Sequence, residues 1–195
     1  MEEKKTAITL KKLAIASLIG EGEFCTTTKS PVLKVPFDRK KAFYLAELIK
    51  ENNLINLYLE IDLKKGQFSL HSHPILEELR NQWYAKNKKV FSMVLDPGLL
   101  SLQAIIIGVN MFGTRKLESI SIPTTTDKDH LKALSYCIGQ HINVPVLPTT
   151  NQIKITNVPK FILNSLNEIP AIHSAELVNF LTEKEKKKII EGALM

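Results

Sequence analysis

Residues 13–24, LAIASLIGEGEF, read as an uncharged helix that stops at Gly-Glu-Gly-Glu, and its side chains restrict what can pack on it. Ala14, Ala16 and Ser17 keep one side thin, and Ala16 and Gly20 stand four apart on one face. Small residues at that spacing let two helix backbones approach closely, a steric argument best documented in membranes that holds equally in water. Glu21 projects a carboxylate at the C-terminal end, where the helix dipole is negative and does not favour an acid. An acid set against its local preference is a candidate functional residue.

The chain also repeats itself. FDRKKAFYLAEL (Phe37–Leu48) and TDKDHLKALSYC (Thr126–Cys137) are both short charged starts running into apolar helices, with Asp38 and Asp127 at helix-start positions 89 residues apart. The same offset carries Glu21 to Asn110, inside a second uncharged helix at Leu99–Gly113. Further on, His73-Pro74-Ile75-Leu76 and Val158-Pro159-Lys160-Phe161 open helices with proline near the first turn, at an offset of 85. A shorter hairpin in the second half accounts for the change. Thr26–Val35, Leu54–His71 with its Lys64-Lys65-Gly66 turn, LESISIPTTT and VPVLPTTNQIKIT read as hairpins from their β-branched alternation. Each half therefore reads helix, hairpin, helix, hairpin, helix, an α/β fold split into 1–95 and 96–195. A last helix is expected over Ser174–Leu194, its Lys184–Lys188 cluster a solvated face.

With 195 residues the chain is long enough for one substantial core or two tightly packed subdomains. Its formal charge of +6, almost all from lysine, favours polyanionic partners. Cys25 and Cys137 are too few and too far apart for a metal box or a disulfide framework, so both are expected reduced, in an intracellular compartment. MEEKKTAITLKK is neither a secretory signal nor an acid-free transit peptide, and the longest uncharged run suits a buried core helix better than a membrane span.

AIASLIGEG (Ala14–Gly22) resembles the signature helix of the LAGLIDADG homing endonucleases, with Glu21 at the catalytic acid and Gly22 at the closing glycine. ELRNQWYAKNKKVF (Glu78–Phe91) followed by LLSLQAIIIGVNMFG (Leu99–Gly113) is similar to the family's link between repeats. There a helix ends in an aromatic pair and a basic turn before the second signature helix. The resemblance implies two αββαββα repeats about a pseudo-twofold axis, a monomer containing its own dimer. Their antiparallel sheets would form a concave saddle for nucleic acid. It also implies one acid per signature helix, the two together holding Mg²⁺ beside a scissile phosphate.

The second acid is missing. The repeat places it at Asn110, the small-residue pair Ala104 and Gly108 would place it at Val109, and Gly113 as closing glycine gives Phe112. Between Pro97 and Leu117 there is no Asp or Glu in any register. Glu21 is then a vestigial acid, the one carboxylate a metal could use, and Mg²⁺ is not required. Lys34, Lys64, Lys65, Arg115, Lys116 and Lys154 fall on or beside the hairpins as phosphate contacts. Trp83 and Tyr84 belong to core packing at a helix end, and His71 and His73 to the surface.

On this reading the chain binds structured RNA rather than DNA, as a ribosomal or other ribonucleoprotein component or an intron maturase. The alternative is a Mg²⁺-using homing endonuclease, and a third is a DNA-binding regulator on the same scaffold. No membrane association is expected. Lys-, Ile- and Asn-rich usage with three arginines suggests an AT-rich organelle genome. That favours a mitochondrion over a chloroplast, with the cytosol as the alternative.

Overall fold

The structure is a computed structural model that describes residues 2–52, 54, 58–91 and 100–192, with side chains from Thr6 onward. Two helices form its centre. Helix α1 (Glu2–Ile19) is apolar all round over its last turns, where Leu13 through Ile19 are at most 2% exposed. A helix of that kind belongs in a core. Helix α4 (Leu102–Phe112) starts at Ser101, whose hydroxyl accepts from the Ala104 amide, and Ala104–Asn110 are all buried. The two pack on each other more extensively than any other helix pair described. A Cβ placed on Gly108 would lie 3.8 Å from the Cα of Ala16, and one on Gly20 only 2.9 Å from the Phe112 ring. A twofold axis brings equivalent residues face to face, so Ala16 answers Gly108 and Gly20 answers Phe112.

Each half then builds a four-stranded antiparallel sheet. In the first, β1 (Glu23–Phe24), β2 (Leu33–Pro36), β3 (Leu59–Asp62) and β4 (Gln67–Leu70) run in the order β1-β2-β4-β3. In the second, β7 (Thr114–Arg115), β8 (Ser119–Pro123), β9 (Val146–Pro148) and β10 (Gln152–Thr156) run β7-β8-β10-β9. The register repeats down to residue type: Pro36 pairs Gln67 as Pro123 pairs Gln152. Period-2 alternation sends Leu33, Val35, Phe68 and Leu70 inward from one sheet, and Ile120, Ile122, Ile153 and Ile155 from the other, all fully buried. They join α2 (Ala42–Asn52), α3 (Ile75–Trp83), α5 (Lys128–Ile142) and α6 (Val158–Leu166) in one hydrophobic cluster spanning both halves.

The repeat offset is not constant. It is 92 at the paired helices, 91 at Glu23 and Thr114, 87 at Pro36 and Pro123, and 85 at Gln67 and Gln152. The main step comes at the first hairpin, whose loop covers 25–32 in one half and only 116–118 in the other. Thr26–Lys29 are therefore loop rather than strand. Asp127 caps α5 through the Asp129 amide, and Asp38 caps a 3₁₀ turn, Arg39–Lys41, ahead of α2.

A short hairpin, β5 (Tyr84–Ala85) and β6 (Lys88–Lys89), follows Trp83, with Lys86 and Asn87 both left-handed at its turn. The expected last helix is two: α7 (Ala171–Val178) and α8 (Glu183–Ile190), the latter opened by a Thr182–Glu185 capping box. Lys184, Lys187 and Lys188 are exposed on α8. The division at residues 95 and 96 lies outside the described residues, as does the end of the last expected helix. Among the described residues no helix is long and apolar enough to cross a membrane.

The central contact is tested at Gly108, where an added methyl would meet Ala16 at ordinary van der Waals distance. Gly108→Ala should hold or raise stability, because helix propensity favours alanine by about 1 kcal/mol. Gly108→Leu should cost about 1–3 kcal/mol by overpacking. Urea denaturation of the two variants measures both.

Candidate nucleic-acid interface

At the C-terminal ends of α1 and α4 lies a cleft of about 250 Å³, lined by Glu21, Phe37, Asp38, Lys41, Phe112 and Gly113 among others. Glu21 is exposed there. The second helix offers no matching side chain. Gly22 donates its amide to the Ser17 carbonyl, and Gly113 donates to Val109, so Gly113 closes α4 as Gly22 closes α1. Gly20 already answers Phe112. One residue fits between Gly20 and Gly22, and none between Phe112 and Gly113. Glu21 has no counterpart.

Asn110 therefore does not occupy the acid's position. Its equivalent is Leu18, one face removed from the cleft, and it is fully buried with its side-chain amide donating to the His173 carbonyl at 3.1 Å. The 89-residue offset belongs to the chain beyond the first hairpin, and it undercounts at the helix. Val109 corresponds to Ser17 and is also fully buried. Phe112 reaches the cleft, opposite Gly20 rather than opposite the acid.

Lys89 is a residue the motif reading did not single out. It is 4% exposed, and its Nζ donates to the carbonyls of Gly20 at 2.8 Å and Gly22 at 3.0 Å. It thus satisfies acceptors that the end of α1 leaves open. Burial pulls its pKa down to about 7, against the opposing pull of Glu23 and Glu21. A signal existed in the sequence: consecutive residues of a hairpin arm face opposite ways, so one of Lys88 and Lys89 had to point inward. Lys88 points out and pairs with Asp127 at 3.3 Å.

The proposed phosphate contacts do not form one basic surface. Lys34 is exposed on the outward face of β2, and Lys154 half-buried on that of β10. Lys64 and Lys116 are exposed at turns, while Lys65 pairs with Asp62 at 3.1 Å. Arg115 faces inward, where Glu185 of α8 holds it at 2.8 Å. Trp83 is fully buried, and the Tyr84 hydroxyl accepts from the Phe24 amide. His73 accepts from the Ile75 amide through Nδ1, and His71 meets the Ser72 hydroxyl. Among the described residues no group of three His, Cys, Asp or Glu side chains could hold a metal.

Comparison of the whole fold places it. The homing endonuclease I-WcaI, solved bound to its DNA recognition sequence, matches with a TM-score of 0.58 at 13% identity, over 87% of this chain and 86% of that one. This is the LAGLIDADG homing-endonuclease fold. The I-LtrWI LAGLIDADG homing endonuclease bound to target DNA matches at 0.47 and 13% identity, over 94% and 96% of the two chains. Full-length DUF199/WhiA from Thermatoga maritima matches at 0.48 and 11%, over 98% of this chain and 72% of that one. The assignment rests on the first of these. No family model matches the sequence, and no curated protein matches it either. In LAGLIDADG terms, α1 and α4 are the paired signature helices, and the two sheets are the arms of the saddle.

Two substitutions test this geometry. Lys89 has a folded-state pKa of about 7 against an ordinary 10.5, so the folded chain holds fewer protons than the unfolded chain between those values. Its contribution makes stability rise with pH from about 7 toward 10.5. Lys89→Met should flatten that rise in urea denaturation followed across pH. Asn110→Asp places a carboxylate against the His173 carbonyl in the core, and should lower stability by about 2–4 kcal/mol near neutral pH.

Proposed function

We propose that this chain binds nucleic acid along the concave side of its two sheets and does not cut it. The observation that carries this is the missing residue between Phe112 and Gly113, which leaves Glu21 alone at the axis. Metal-assisted hydrolysis of a phosphodiester needs carboxylate oxygens to hold the ion beside the scissile phosphate. By analogy with loss of one preorganised electrostatic group, losing half of that site costs on the order of 4 kcal/mol of transition-state stabilisation.

The residues at the cleft do not fit Mg²⁺. Glu21 supplies one carboxylate, and Asp38 in the same cleft accepts from the Lys40 amide at 2.9 Å. The carbonyls of Gly20 and Gly22 are occupied by Lys89, itself a competing cation below its pKa.

Structured RNA is the ligand we favour over DNA. A long DNA site serves a cutting enzyme, whereas a scaffold without its acid pair is of use through its surface alone. Roles as a ribosomal or other ribonucleoprotein component, or as an intron maturase, fit that use. The lysine-, isoleucine- and asparagine-rich composition fits an organelle, a mitochondrion before a chloroplast.

Incubated with Mg²⁺ or Mn²⁺ and a randomised DNA library, the chain should leave no site-specific breaks, and Asn110→Asp should not create any. In gel-shift titrations it should bind structured RNA more tightly than DNA, with affinity falling steeply as salt rises. Double-strand cuts abolished by Glu21→Gln would overturn the non-cutting reading. Tighter binding to DNA than to RNA would replace the ligand.

A further inference from the structure

At the end of the helix pair away from Glu21, helices α1, α2, α4 and α7 surround a cavity of about 450 Å³. The first two helices belong to one half and the last two to the other, so the cavity lies on the seam. Its walls are mostly apolar, from Ile8, Leu48, Ile107 and Ile172. Two of its polar side chains are spent on each other and on backbone: the Thr9 hydroxyl donates to Asn52 Oδ1 at 3.0 Å, and the Asn52 amide donates to the Leu48 carbonyl at 2.9 Å.

Lys12 and His173 are not spent. The half-buried Lys12 ammonium donates to Oε1 of Gln103, a neutral partner that takes one of its three protons. Among the described residues no carboxylate pairs with it, and that includes Glu51, which is exposed in the same lining. Burial alone pulls the Lys12 pKa down, as for a cation short of both water and counter-charge. His173 lines the cavity at 5% exposure, with Nδ1 at 2.7 Å from the Tyr44 hydroxyl. Burial keeps that phenol protonated and, with the charge of Lys12, holds the imidazole neutral, its pKa about 4. The phenol therefore donates to Nδ1, and the one proton of the neutral ring stands on Nε2. Among the described residues Nε2 has no hydrogen-bond partner, so it offers the cavity an N–H.

We infer that this cavity binds a small organic anion, a carboxylate with an apolar body, its head on Lys12 and His173 Nε2 and its body against the isoleucines and Leu48. An ammonium without counter-charge beside a neutral N–H donor matches a carboxylate, which accepts from both. An apolar pocket with a few convergent polar groups is the usual form of a small-molecule site. Since the walls come from both halves, the occupant binds only the assembled seam and stabilises the fold by mass action. None of these residues lies on the sheets, and the inference does not rest on the nucleic-acid reading.

The experiment uses the full chain and octanoate as the probe, with octan-1-ol and inorganic phosphate as controls. Octanoate should bind saturably in calorimetry and raise the melting temperature as its concentration rises. Octan-1-ol, which lacks the charge, should bind more weakly by about tenfold or more, as should octanoate on Lys12→Met. Phosphate, which lacks the body, should not raise the melting temperature. Thermal melts of Lys12→Met separate lost binding from lost fold. A reading that depends on no variant comes from the imidazole nitrogen resonances: those of His173 should move on titration with octanoate, while those of His71, His73, His130 and His141 stay in place. Octanoate binding that survives Lys12→Met, or that leaves the His173 resonances unmoved, would overturn the inference by placing the probe elsewhere. Equal binding of octan-1-ol would overturn the anion, equal binding of phosphate would overturn the apolar body, and no saturable binding of octanoate would overturn the site.

Discussion

The close approach of α1 and α4 is the contact from which the rest of the molecule is hung. Alanine and glycine at the crossing bring backbone within reach of backbone, so the two helices share one axis and the two halves share one core. The sheets flank this pair and inherit their relation from it. Separation of the helices would expose side chains that are now at or near zero exposure on both α1 and α4. Each large one buried contributes roughly 1.5–3 kcal/mol. The halves are therefore parts of one folding unit.

Polar groups stitch the seam that the apolar helices open. Tyr44 of α2 meets Nδ1 of His173 on α7 at 2.7 Å, and Lys41 pairs with Glu176 at 2.6 Å, each joining the first half to the second. Burial holds His173 neutral, its pKa pushed down to about 4. Asn110 reaches the His173 carbonyl from the central helix. On the opposite side, the Lys89 amine caps α1 while its carbonyl accepts from the Asp127 amide, so the short hairpin after Trp83 binds the end of one half to the start of a helix in the other.

Much of this was legible in the sequence, because patterning and helix-start chemistry are local. The small residues of LAIASLIGEG, the aspartates before α2 and α5, and the prolines before α3 and α6 located their elements from their own residues. Register was harder. The repeat is recognisable at Asp38 and Asp127, beyond a loop between β1 and β2 that is longer in the first half, so the same offset carried back to the helix lands on a core position. The site was less legible still. That Arg115 is spent on Glu185, that Lys65 answers Asp62, and that Lys89 lies inside all depend on partners distant in sequence or on which face a short strand presents. Composition reported a net positive charge, yet it could not report how the cations are paired.

The shortened end of α4 has a consequence for how such a chain can change. Where an acid has been replaced, a single base change can restore it, and a lineage can drift into and out of activity. Here the slot itself is gone: Phe112 stands across from Gly20, Gly113 follows at once, and any replacement of either disturbs a packed contact without opening a position beside Glu21. Return would take a gained codon placed in frame at one point, which is a far rarer event than a base change. Under the non-cutting reading proposed above, such a loss acts as a ratchet, with the surfaces left for selection to act on.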